Sequence, residues 1–118
     1  MNATDRLDPA AIKFDANGLI PAICQHHETD QVLVLAFMNE QSFRRTLEIG
    51  QAVFWSRSRQ ELWHKGATSG NYLGVVSIQV NCEETSLLLL CDPVGPTCHT
   101  GEVSCYYREL DWEPPARD

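Results

Sequence analysis

"GLIPAICQHHETDQVLVLAFMNEQSFRRTLEIG", Gly18 to Gly50, decides the architecture. Its first two parts, "GLIPAICQHH" (18–27) and "QVLVLAFMN" (31–39), are apolar, β-branched runs around the polar "ETD". Two such runs about a short polar connection predict a β-hairpin. The third part, "NEQSFRRTLEIG" (39–50), predicts a helix. Asn39 can cap it, Phe43 and Leu47 share a face at i, i+4, and Gly50 supplies the stop.

Outward from this stretch the chain reads as more strands. "AVFWSRS" (52–58) is a third, and "YLGVVSIQVNC" (72–82) a fourth with Val75, Ser77, Gln79 and Asn81 on one face. "SLLLLCD" (86–92) is a fifth, expected to be buried on both sides. Between them "RQELWHKGATSGN" (59–71) is polar, Gly-punctuated and loop-like. Pro93 and Pro96 end regular structure, and "CYYREL" reads as a last edge strand. Asp8-Pro9 caps a short helical turn through Ile12. Residues 1–8 read as a loose terminus, and "DWEPPARD" as a frayed tail whose Trp112 can dock. The expectation is one α+β domain over 1–118, with a core at about 13–108: a small, mostly antiparallel sheet and one main helix. One helix is too little to cover a sheet, so the remaining apolar face is expected to be covered by dimerisation.

The chain carries 9 Lys+Arg against 16 Asp+Glu, a net charge of −7. Such a surface repels phosphate backbones, which argues against nucleic-acid binding. Its cations are concentrated, however, with Arg57, Arg59 and Lys65 close together. The N-terminus has no apolar secretory segment, and "VLVLAFM" and "LLLLC" are too short to span a bilayer, so a cytoplasmic protein is expected.

Five cysteines, an odd number, argue against a disulfide framework in a reducing compartment. Cys24 and Cys91 sit in apolar runs and read as buried, inert thiols. Cys82, Cys98 and Cys105 lie in polar surroundings. They read either as further inert thiols or as three ligands of a zinc ion whose fourth position is open to water. Their spacing has no CxxC knuckle and does not decide between these. His99, beside Cys98, is either an ordinary loop histidine or a proton-transfer group. Arg57, Ser58, Arg59, Lys65, Thr68, Ser69 and Gly70 combine cations, hydroxyls and Gly-permitted backbone N–H groups. These are the parts of a phosphate cradle, and also those of a solvated basic loop. His64 reads as a surface neighbour of Trp63.

"FDANGLIPAI", "VLVLAFMNE", "FWSRSRQELWHKGATSGN" and "GPTCHTGEVSCYY" occur in this order and spacing in phosphoribosyl-AMP cyclohydrolases of histidine biosynthesis, which residues 13–108 resemble. The resemblance implies an intertwined homodimer with one zinc per subunit, shared across the interface by Cys82, Cys98 and Cys105. It implies zinc-dependent hydrolytic opening of the adenine ring of 1-(5-phosphoribosyl)-AMP at the N1–C6 bond. His99 would shuttle a proton to the departing nitrogen, and the basic motif would bind the substrate's two phosphates. Many bacterial relatives carry a fused pyrophosphohydrolase domain; ending at Asp118, this chain would be the stand-alone form. The resemblance also implies magnesium, at an Asp-Cys-Asp-x-Asp stretch. Here Asn81-Cys82-Glu83-Glu84-Thr85 stands there, and Asn81, Glu83 and Thr85 form a weakened magnesium site with one formal charge in place of three. That departure supports the alternative, a non-catalytic zinc-stabilised nucleotide-binding relative. An adenosine-type deaminase lacks support, because the H-x-E…P-C-x-x-C pattern is absent.

Overall fold

The computed structural model describes residues 6–116. After a 3-10 turn at Pro9–Ala11 come β1 (Ile20–His26), β2 (Val32–Met38), α1 (Glu40–Ile49), β3 (Val53–Ser56), β4 (Glu61–His64), β5 (Leu73–Val80) and β6 (Leu87–Pro93). The expected hairpin, helix and later strands are present. Asp8 accepts the Ala10 N–H at 2.8 Å, capping the first turn as its place before Pro9 predicts. The expectations for residues 1–5 and 117–118, the ends of the two termini, lie outside the described residues.

The main sheet runs β2-β1-β6-β5, and β3-β4 form a separate two-stranded sheet. The outer pairs of the main sheet are antiparallel, and the central pair, β1 with β6, is parallel. Parallel neighbours need a long crossover. Everything from β2 to β5 supplies it, so α1 and the β3–β4 hairpin lie between the two central strands in sequence.

The helix ends are locally encoded. Asn39 Oδ1 accepts the Ser42 N–H at 2.8 Å, and Ser42 Oγ accepts the Asn39 N–H at 2.9 Å, a reciprocal capping box. Gly50 closes the helix at φ 70°. The inward face differs from expectation: Ser42, Phe43 and Thr46 are buried, whereas Leu47 is exposed. Thr46 takes the inward place because its hydroxyl bridges helix and sheet. It accepts the Val53 N–H at 2.9 Å, and Ser42 O and Val53 O lie within reach of its own hydrogen at 2.9 and 3.2 Å.

Other expectations are corrected. Residues 61–64 form β4, not a loop. Four residues are too few for a periodic signal, and the pairing rests on a cross-strand aromatic contact, Phe54 against Trp63 at 5.5 Å between centroids. In β5 a bulge between Val75 and Ser77 breaks the alternation, so Val75, Ile78 and Val80 face the core. "CYYREL" forms no strand: Cys105 makes one backbone bond to β2, and Tyr106, Tyr107 and Leu110 are exposed. Trp112 is 65% exposed and does not dock on its own chain.

The core lies on one face of the main sheet. Ile20, Ala22 and Cys24 of β1, Val34 and Met38 of β2, and Leu87, Leu89 and Cys91 of β6 meet Phe43 of α1 and Phe54 of β3. The opposite face is only partly covered. Ile23 and Leu35, opposite one another, are 37% and 45% exposed, and Leu88 beside them is half-buried. β6 is thus fully buried on one side only. Among the described residues, no helix is long and apolar enough to cross a membrane.

Thr46→Val removes the acceptor for the buried Val53 N–H. Chemical denaturation is expected to show a loss of about 1–3 kcal/mol, the cost of an unpaired buried donor. Thr46→Ser, which keeps the oxygen, is expected to lose distinctly less.

Candidate active site

A narrow loop after β6 brings two thiols together. Thr97 N–H donates to Val103 O at 3.2 Å, Cys98 N–H to Glu102 O at 3.0 Å, and Gly101 N–H to Cys98 O at 2.9 Å. Gly101 sits at φ 93°, a region that favours glycine. The returning arm is fixed to β2 at a bulge. Cys24 pairs with Val34 and Gln25 with Val32, which leaves Leu33 outside the register. The Leu33 carbonyl takes the Cys105 N–H at 2.8 Å, and the Ser104 hydroxyl donates to Val32 O at 2.6 Å. Cys98 and Cys105 thereby come close enough for each to shift the ionisation of the other.

The two thiols are unequal. The Thr100 hydroxyl donates to Cys98 Sγ at 3.1 Å. That bond, with the Thr100 backbone N–H, holds Cys98 below the ordinary thiol range against the effect of burial. Cys105 is an exposed residue, yet partial desolvation of its thiol pushes it up, and neighbouring Cys98 adds to the rise. Cys98 is the first of the pair to become a thiolate. Cys24 and Cys91 are fully buried, as expected of inert thiols. The neighbouring Cys91 thiol, then burial, raise Cys24 well above its usual value.

Lys65 lies apart from the exposed basic residues. It is 8% exposed, and its ammonium stands 5.5 Å from the centre of the Trp63 ring. Its positive charge favours the thiolate forms of Cys24, Cys98 and Cys105. Arg57, Ser58 and Arg59 occupy the exposed β3–β4 turn and not a strand face. The Arg57 guanidinium stacks 4.0 Å above the Phe37 ring, at a groove of about 500 Å³ also lined by Leu35, Trp55, Ser56 and Trp63. Arg59 borders an adjoining cleft with Glu61 and Leu62. Thr68, Ser69 and Gly70 lie on an exposed loop cinched by Gly66, where a Cβ would stand 2.5 Å from the Tyr72 nitrogen. The cradle residues therefore separate into an arginine turn, a glycine-closed loop and a buried lysine.

His99 is exposed at the tip of the thiol loop. His64 is not merely a surface neighbour of Trp63: its Nε2 lies 2.7 Å from Gln51 Oε1, and its ring packs on Tyr72. Asn81, Glu83 and Thr85 lie with Cys82 in the β5–β6 turn. Asn81 Oδ1 accepts the N–H groups of Thr85 and Ser86 at 2.7 and 2.9 Å, and Asn81 Nδ2 donates to Thr85 Oγ1 at 3.0 Å.

Cys82 is exposed in that turn, beyond the Val80↔Leu87 end of the sheet. Cys105 is tied to β2 beside the Cys24 level of β1. Among the described residues, no three His, Cys, Asp or Glu side chains of the single chain are placed to hold a metal. Two adjacent thiols, one pulled toward thiolate, are donors that suit zinc. Thr97 Oγ1, one residue before Cys98, is buried with no hydrogen-bond partner. Sequence reading missed the burial of Lys65 and the Phe37–Trp55–Trp63 groove. A lysine in a Gly-rich polar stretch gives no sign of burial, and the groove depends on β4.

The family model for phosphoribosyl-AMP cyclohydrolase matches residues 34–107. A phosphoribosyl-AMP cyclohydrolase of Cereibacter sphaeroides (strain KD131) is 50% identical over 103 residues, covering 87% of this chain and 87% of the relative. The one from Paracoccus denitrificans is 50% identical over 103 residues, covering 87% and 85%. A histidine biosynthesis bifunctional protein HisIE of Caldanaerobacter subterraneus is 52% identical over 107 residues, covering 91% of this chain. The chain spans about half the length of that relative, 52%.

In metal-free protein, iodoacetamide is expected to label Cys98 at lower pH than Cys105. Thr100→Val is expected to raise the pH at which Cys98 reacts, and Lys65→Met to raise it for both thiols. Mass-spectrometric pH profiles check this; the same profile for Cys98 and Cys105 would contradict it.

Proposed function

The chain belongs to the phosphoribosyl-AMP cyclohydrolase family of histidine-biosynthesis enzymes, and from that membership we propose a zinc-dependent hydrolysis that opens the adenine ring of 1-(5-phosphoribosyl)-AMP at the N1–C6 bond. The observation that carries this reading is the Cys98–Cys105 pair, two thiols built side by side with their third counterpart, Cys82, out of reach in the same chain. A second copy supplies the missing thiol. Each site takes Cys98 and Cys105 from one subunit and Cys82 from the other, which makes the active form a homodimer.

Zinc bound there would supply a Lewis acid that makes water nucleophilic at neutral pH. The chain's own residues do the rest. Cys98, already biased toward thiolate by Thr100, gives the first charged ligand. Lys65 offsets part of the negative charge that clustered thiolates accumulate. Arg57 and Arg59 project from an exposed turn, where charge-assisted bonds to phosphate are available. Phe37, Trp55 and Trp63 offer flat apolar surface to the purine beside Arg57. His99, exposed one residue from Cys98, moves a proton to N1 as the ring bond breaks. Because N1 carries a ribosyl group, it departs while remaining in the product, and the exocyclic nitrogen is retained.

Purified protein is expected to hold about one zinc per chain. Cys98→Ser and Cys105→Ser are expected to lose zinc and turnover together, while Cys91→Ala keeps both. Stoichiometric zinc in both serine variants would overturn the assignment. His99→Ala is expected to lower kcat on the order of 10²-fold with zinc retained, the usual scale of general acid–base catalysis. Arg59→Ala is expected mainly to raise KM, as loss of a charge-assisted bond of about 1.5–3 kcal/mol would. Zinc-loaded, dimeric protein without ring opening would favour a nucleotide-binding relative.

A further inference from the structure

The turn that carries Cys82 is closed on itself. Glu84 N–H donates to Asn81 O at 3.0 Å, and Asn81 Oδ1 takes two further backbone N–H groups, from Thr85 and Ser86. Two donors aimed at one atom fix the amide orientation, because the NH₂ end could accept neither. Both lone pairs of that oxygen are committed. The amide nitrogen donates to Thr85 Oγ1 and has no acceptor capacity of its own. Glu84 is drawn elsewhere: its carbonyl accepts the Lys13 N–H at 2.8 Å, and its carboxylate lies 3.5 Å from Lys13 Nζ. Glu83 alone brings a carboxylate outside these bonds. Magnesium demands near-octahedral oxygen ligation and gives up its waters reluctantly. One carboxylate, beside an amide whose oxygen is committed and a hydroxyl that already accepts one bond, does not fit it.

We propose that Asn81 is the positioning residue for Cys82, and that its hydrogen bonds hold the turn without a divalent cation, so that zinc is the only metal this site requires. The proposal rests on the reading that Cys82 ligates zinc with the partner's thiol pair. Bonds from a single side chain to three points of the turn set the direction in which the exposed Cys82 thiol is presented. Partners of this kind, one step removed from a metal, commonly change its affinity 10–100-fold when lost.

The test has two arms. In wild-type, zinc-loaded dimer, Mn²⁺ titrated as a magnesium surrogate and followed by electron paramagnetic resonance is expected to stay free up to about 1 mM, given a one-carboxylate site. One tightly bound Mn²⁺ per chain at micromolar concentration, displaced by Mg²⁺, would overturn the proposal. In the second arm, zinc affinity is measured by competition with a chromophoric chelator. Asn81→Ala is expected to bind zinc at least about tenfold more weakly. Asn81→Asp keeps an oxygen for the two N–H groups and is expected to stay within about threefold of wild type, on the same scale. Cys82→Ser separates the two readings. If it keeps wild-type zinc affinity, the shared-site reading fails. If it loses zinc while Asn81→Ala keeps wild-type affinity, the positioning role alone fails. The Mn²⁺ arm uses the unaltered protein and is read whatever the variants do.

Discussion

A four-stranded sheet with one face fully covered and the other only partly covered is the constraint from which the rest follows. A single helix and the short β3–β4 hairpin bury Ile20, Ala22, Cys24, Leu87 and Leu89. The other face is left with Ile23 and Leu35 more than a third exposed. Completing the burial of side chains such as these is worth on the order of 1 kcal/mol apiece, a fraction of the ~1.5–3 kcal/mol for full burial. A second copy on that face would complete this burial, and a two-fold axis would double each such contact.

Within one chain the site is assembled by irregularities in the sheet. The bulge at Leu33 frees a carbonyl for the Cys105 backbone, so a packing irregularity in β2 locates one of the two thiols. A buried lysine, unfavourable in a neutral core, here favours the thiolate forms of its neighbours. Cys98, Cys105 and Lys65 thus form one electrostatic unit, although Lys65 is over thirty residues away in sequence.

What was legible in the sequence was what is local. Asn39, Gly50 and Asp8 announce their caps because a cap is made by residues within four positions. The β1–β2 hairpin was readable for the same reason. The parallel β1–β6 pair was not, since nothing in either strand names a partner more than sixty residues away. Strand β4 was hidden because one aromatic pair, Phe54 with Trp63, outweighs four residues of ambiguous pattern. Cys98 and Cys105 were recognisable as unlike Cys24 and Cys91 from the polarity of their neighbours. That Lys65 is buried apart from the exposed basic residues and acts on the thiols, and that Asn81 spends its oxygen on its own turn, required the folded chain.

The central claim is that each site takes its ligands from two subunits, and mixing two inactive variants tests it directly. In a hybrid of Cys82→Ser with Cys98→Ser, one of the two shared sites recovers Cys82 from one subunit and the intact thiol pair from the other. After unfolding and refolding together at equal concentration, half the dimers are hybrid with one good site each, so about a quarter of wild-type turnover and zinc is expected for a symmetric dimer. If all ligands came from a single chain, every site in the mixture would lack one. Turnover would then stay at the level of the separate variants, and the account would be wrong.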